Sequence, residues 1–186
     1  MTISHRLMLI VGTALLGLIA IAGVSYQQIH RVYDAANFST VNVVPSLLVL
    51  SDAEVNTGRL RVRIYRHVLA TDPKEMAEID QSIQAAREAI EKDFKAYEPQ
   101  LVGAEDRQFL EAERTSLHEY NKQVDTLLVL SRQNKTEEAR AQLNALAPTA
   151  ARFVDQLGAH MRYNERIGKE AADKAAGTLS SALQIS

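Results

Sequence analysis

The sequence predicts an all-α fold: an antiparallel up-down-up-down four-helix bundle preceded by one N-terminal transmembrane helix. Three observations carry this. One long uncharged run opens the chain; four single-sided amphipathic stretches follow it; short breaks rich in capping residues separate them. Composition agrees. With 46% hydrophobic and 24% charged residues the 186-residue chain can bury a core. Eight Gly and four Pro are few for a turn-rich β protein. A formal charge of −2 argues against nucleic acid as a partner. The absence of Cys removes disulfides, thiolate zinc sites and iron–sulfur clusters.

The first element is Leu7–Tyr26, LMLIVGTALLGLIAIAGVSY, without a charge. At 1.5 Å per residue it reaches about 30 Å, the thickness of a hydrocarbon core. His5 and Arg6 flank it, so positive-inside reasoning puts residues 1–6 in the cytoplasm and residues 27–186 on the other side. The alternative is a cleaved signal peptide ending near Ala20-Ile21-Ala22. The run exceeds the usual apolar region of such peptides, about 7–15 residues, which favours a retained anchor. Both readings export the rest of the chain. The closing stretch AADKAAGTLSSALQIS is too polar to span a bilayer. A long last helix aimed back at the membrane fits a piece of a longer protein with a second span beyond it.

The bundle helices follow in order. The first, Ser46–Ala70, carries the stripe Leu47, Leu50, Ala53, Thr57, Leu60, Ile64, Val68; Pro45 either kinks the preceding helix or starts this one. The first break holds Asp72 as N-cap, Pro73 at the first helical position and Glu75 at the third. The second helix has the clearest stripe: Met76, Ile79, Ile83, Ala86, Ile90, Phe94, Tyr97. Pro99 stops it and Gly103 precedes the third, striped by Phe109, Glu113, Leu117 or Ser116, Tyr120, Val124, Leu127 and Ser131. Asn134 suits a left-handed C-terminal position, and Thr136 is expected to cap the last helix, with Glu137 and Glu138 at its positive end. That helix is striped by Ala139, Leu143, Leu146, Ala150, Phe153, Leu157, His160 or Met161, and Asn164.

Catalytic patterns are missing. The five His form no HExxH and no Glu-x-x-His pair, and no phosphate-binding glycine loop or GxSxG occurs. The chain is therefore read as a non-enzyme with no metal and no cofactor. His160 is expected inside the bundle or at an interface. Tyr97 and Tyr120 are expected in the core with hydrogen-bonded hydroxyls, Tyr120 also serving as a candidate ligand contact.

The uncommon feature is GRLRVRIYRH, Gly58–His67, with Arg59, Arg61, Arg63 and Arg66 and no acidic residue between Glu54 and Asp72. At 100° per residue Arg59, Arg63 and Arg66 share one flank, and Arg61 lies across the core stripe near Tyr65. Guanidiniums bordering a seam suit a carboxylate or phosphate held bidentately. The alternatives are pairing with acids of neighbouring helices, or water. In the last helix, Pro148 removes a backbone donor and leaves the Asn144 carbonyl without its helical partner, with Thr149 and Arg152 beside it. Thr149 falls about 20 Å, and the Arg cluster about 6–16 Å, from the tip of the bundle, so the two can converge.

A basic N-terminus, one apolar span, LLVLSDAEVNTGRLRVRIYRHVLATDPKEMAEID and then YEPQLVGAEDRQFLEAE make the chain resemble the N-terminal part of a bacterial methyl-accepting chemotaxis receptor. The resemblance implies a sensor of the bacterial inner membrane, with residues 27–186 as a periplasmic ligand-binding domain and a parallel homodimer as the working unit. It also implies that a small ligand moves the last helix. Pro148-Thr149 looks like the Pro-Thr element that, with Arg residues of the first bundle helix, holds ligand carboxylates in the aspartate-type receptors. The Arg excess, without identifiable groups for an ammonium, points to a di- or tricarboxylate. Arg59, Arg61, Arg63, Arg66, Tyr120, Thr149 and Arg152 are the candidate ligand residues. The same bundle also precedes histidine kinases and cyclic-nucleotide enzymes. A rival reading is a membrane-anchored bundle that recognises a protein partner at its tip.

Overall fold

In the computed structural model the described residues, 3–185, are almost all helical. Met1 and Thr2, the start of the expected cytoplasmic segment, lie outside the described residues, as do Ser186 and the Arg6 side chain. The elements are α1 (Ile3–Phe38), a π-helical turn (Ser39–Val43), α2 (Val44–Leu69), α3 (Pro73–Tyr97), a 3-10 turn (Glu98–Gln100), α4 (Gly103–Arg132) and α5 (Thr136–Ile185). They form two units: residues 42–166, and residues 3–41 with residues from 167 onward.

The second of these units contains α1. Among the described residues this helix alone is long and apolar enough to cross a membrane, and none of its apolar window is buried. Its Thr13 hydroxyl donates to the Leu9 and Ile10 carbonyls, so this polar group is satisfied within the helix itself.

The unit of residues 42–166 is a four-helix bundle. Pro45 stands in the first turn of α2, where its missing N–H costs nothing, directly after the π-helical turn. Asp72 caps α3 by accepting from the Lys74 and Glu75 amides, with Pro73 at the first position. Gly103 opens α4 at φ +80°, a conformation that suits glycine. Asn134 takes the left-handed conformation (φ 55°) after α4. One cap differs from expectation. Thr136 is itself the first residue of α5, and the Lys135 carbonyl before it accepts the Ala139 amide. The break is thus closed by Asn134 and one residue more, so the cap falls one position early.

Side-chain bonds give the order of the helices. Asn56 of α2 donates to Asp93 of α3, Arg132 of α4 grips Asp80 of α3, and Thr149 of α5 donates to Gln123 of α4. Residues of α2 and α5 share one small cavity, closing the ring. Every residue of the expected α3 stripe is buried. At mid-bundle Phe94 and Phe153 meet edge to face at 6.2 Å.

Candidate functional site

The four Arg of α2 meet different surroundings. Arg59 is exposed and donates to Asn56 Oδ1 at 3.0 Å. Arg66 is exposed and stands 3.9 Å from Glu75, a separation at which a solvated pair contributes little. Arg63 is half-buried, and no carboxylate among the described residues pairs with it or with Arg61. Arg61 instead lines a cavity with Ile64, Tyr65, Tyr120, Leu143, Leu146, Ala147 and Ala150. The structure thus brings Arg61 and Tyr120 together beside the turn of α5 that holds Pro148. It does not bring Arg59, Arg63 or Arg66 there.

Thr149 and Arg152 are turned to α4. Thr149 Oγ1 donates to Gln123 Oε1 at 3.3 Å, and Arg152 lies 3.7 Å from Glu119. Tyr120 is buried as expected; among the described residues its hydroxyl has no hydrogen-bond partner, unlike that of Tyr97. Burial pushes the Tyr120 pKa up to about 12, against the pull of the Arg61 charge. The cavity is small, about 20 Å³, and open on one side.

Sequence reasoning missed a second cluster. His160 of α5 is fully buried between two carboxylates of α4: Nε2 is 2.6 Å from Asp106 Oδ1, and Nδ1 is 3.0 Å from Glu113 Oε1. Asp106 also accepts the Tyr97 hydroxyl at 2.7 Å and the Val102 amide at 2.7 Å. Asn164 donates to the Tyr97 hydroxyl at 2.8 Å, and Phe109 stacks on the imidazole at 5.1 Å. Burial alone would raise the Asp106 pKa, but its bonds from His160, Val102 and Tyr97 outweigh that and hold it below the usual value. Burial also lowers His160, yet the bonds and charges of both carboxylates lift it above an ordinary imidazole. Burial pushes Glu113 up, with His160 pulling partly back. The signal was present in the sequence: Glu113, His160 and Asn164 each occupy a core-stripe position.

A third polar group closes the tip. Ser131 Oγ donates to the His67 carbonyl at 2.9 Å, so it accepts from His67 Nδ1 at 2.8 Å. His67 Nε2 then faces Asp80 at 3.3 Å, and Asp80 is held by Arg132 through Nε and Nη2. Burial keeps the His67 pKa below its ordinary value despite the Asp80 charge.

A helix long and apolar enough to cross a membrane, a four-helix bundle over residues 42–166, and a last helix that runs on past residue 166 define the class: an α-helical bundle module with a candidate membrane helix. The chain belongs to the family described as the four helix bundle sensory module for signal transduction, whose model matches residues 1–178. Domains of this family are inputs to signalling rather than catalysts. Among solved structures the fold is similar to that of a "Periplasmic sensor domain of sensor histidine kinase", with a TM-score of 0.63 and 13% identity over 75% of this chain and 92% of that one. No curated protein matches.

Proposed function

We propose that the chain is the sensory part of a chemoreceptor, with residues 1–6 cytoplasmic, residues 7–26 in the bacterial inner membrane and residues 27–186 forming a periplasmic ligand-binding domain. Its ligand is a small organic anion, a di- or tricarboxylate, and its relay is a movement of α5. The observation that carries this reading is the outward face of α2. Leu48, Val55, Val62 and Leu69 are large, exposed and spaced by seven residues, with Val44 and Tyr65 exposed at the intervening d position. Such a seam is the pattern by which two copies of a helix pair in parallel, and it supports a homodimer about α2.

In that register Arg59 and Arg66 are e residues, and Glu54 and Arg61 are g residues. A g residue faces the e residue five positions on in the partner. Glu54 then meets Arg59 of the partner subunit, an attractive pair. Arg61 meets Arg66 of the partner subunit, a repulsive one. Two-fold symmetry doubles the repulsion, and a multivalent anion would relieve it. We therefore propose the seam as the ligand position, and the small size of the cavity beside Arg61 within one copy supports that reading.

The test is a thermal-shift screen of the full chain in phosphate-free nanodiscs against organic acids and amino acids. A ligand at 100 times its dissociation constant stabilises by about 2.7 kcal/mol. The expected result is a shift with di- or tricarboxylates that is lost in Arg61→Ala and Arg66→Ala. A shift unaffected by both substitutions sinks the site. No shift across the panel moves the reading to a protein partner. The likeness to a histidine-kinase sensor domain keeps a kinase as the alternative output.

A further inference from the structure

We propose that the Asp106–His160–Glu113 cluster is a second input site of the module, whose ligand is the proton, and that acidification tightens α5 against α4. This cluster is separate from the anion site, and its proton count follows from a hydrogen-bonded chain that runs Glu113–His160–Asp106.

Asp106 accepts three donors, Tyr97 O–H, Val102 N–H and His160 Nε2–H, so it is ionised. The short His160 Nδ1–Glu113 Oε1 contact requires one proton on that line, whichever atom carries it. With Tyr97 neutral, the cluster has a net charge of −1, buried among three helices, and no cationic side chain among the described residues is bonded to it. The second carboxyl oxygen, Glu113 Oε2, is buried without a hydrogen-bond partner.

Two titrations follow. Removal of the shared proton would set a lone pair against a carboxylate at 3.0 Å and bury two negative charges. Addition of a proton at Glu113 Oε2 would neutralise the cluster while His160 Nδ1–H still donates to Oε1. Both steps favour the closed arrangement in the more acidic state. The titratable groups around His160 are Asp106 and Glu113 of α4, Tyr97 of α3 and Tyr163 of α5. From α2 the uncharged Ser46 lies beside Tyr97. The ring joins α5 to α4 six residues before the chain leaves the bundle unit at Arg166. A change in proton occupancy therefore acts on the helix that continues out of it.

The experiment is a histidine and carboxyl NMR titration of the full chain in nanodiscs from pH 4.5 to 9, with thermal melts over the same range. His160→Gln assigns the resonance. The expected result is a coupled titration of His160 and Glu113, with the folding equilibrium shifting up to tenfold towards the folded state for each pH unit of acidification within the window. Glu113→Gln, which keeps the acceptor but cannot titrate, should flatten the acid limb. Invariant His160 and Glu113 signals across the whole range would overturn the proposal, even if every variant failed to fold. So would a Glu113→Gln protein that folds and keeps the wild-type slope.

Discussion

Replacing Asp106 by Ala tests whether the buried ring holds the bundle together. Asp106 is fully buried, and the substitution strands three donors: the His160 imidazole, the Tyr97 hydroxyl and the Val102 amide. Breaking one side of a buried ion pair typically costs about 3–5 kcal/mol, because the other charge stays behind without a partner. A single charge-assisted hydrogen bond is worth about 1.5–3 kcal/mol net, so two lost together reach the same range. For a unit between 100 and 150 residues, 1 kcal/mol moves the melting temperature by about 4 °C. The expected drop at pH 7 is therefore about 12–20 °C, read by circular dichroism of the full chain in nanodiscs. Asp155→Ala is the control: its carboxylate is exposed, and the substitution should stay within about 0.5 kcal/mol of wild type. The pH dependence supplies a second check. The Asp106 pKa is depressed in the folded state, so its stabilisation is present above the ordinary value near 3.8 and is lost as pH falls through the folded one. Below pH 3.8 the gap between wild type and variant should narrow as Asp106 itself takes up a proton. A drop under 4 °C at pH 7, or a gap that goes on widening as pH falls below 3.8, would refute this bonding.

Three further outcomes are expected. Asp72→Ala removes the side chain that caps the Lys74 and Glu75 amides and should cost about 1 kcal/mol, or about 4 °C in the same melt. Phe153→Ala empties a fully buried site against Phe94 and should cost about 3–5 kcal/mol, measurable as accelerated amide exchange in both α3 and α5. Val62→Glu puts a charge in the middle of the exposed heptad seam of α2; if that seam is the dimer contact, mass photometry should show monomers with unchanged helical content.

The bundle was legible because its determinants are local. Asp72-Pro73, Pro99 with Gly103, and Asn134 mark breaks through the chemistry of one or two residues. The α3 stripe from Met76 to Tyr97 is a periodicity inside one helix. The error at Thr136 has the same scale: two adjacent residues could end the loop, and choosing between them needs backbone angles. The partners of the Arg groups were not legible. Helical angles sort Arg59, Arg63 and Arg66 from Arg61, but the rotation of α2 against its neighbours decides which flank meets α5, and that is a property of the packed bundle. Arg61 faces the Tyr120 cavity for this reason, although it was the residue set apart from the other three.

The buried ring lies between these cases. A charged residue in a core stripe requires a polar partner at its own level, and levels can be counted from shared bundle ends. Asp106 lies about 4–5 Å, and Glu113 about 15 Å, above the start of α4 at Gly103. His160 lies about 9 Å above Arg166, the last residue of the bundle unit on α5. An antiparallel bundle puts those two ends side by side, and the Arg166–Glu105 pair at 2.9 Å joins them here. The imidazole thus falls between the two carboxylates in height, as the bonds from Nε2 and Nδ1 require. The ring was recoverable from Glu113 and His160 once their stripe positions were read as a demand for partners. Asp106 was not, because the expected stripe began at Phe109; it lies one heptad before Glu113 on the same buried face, in the first turn of α4, where the Val102 amide and the Tyr97 hydroxyl bind it.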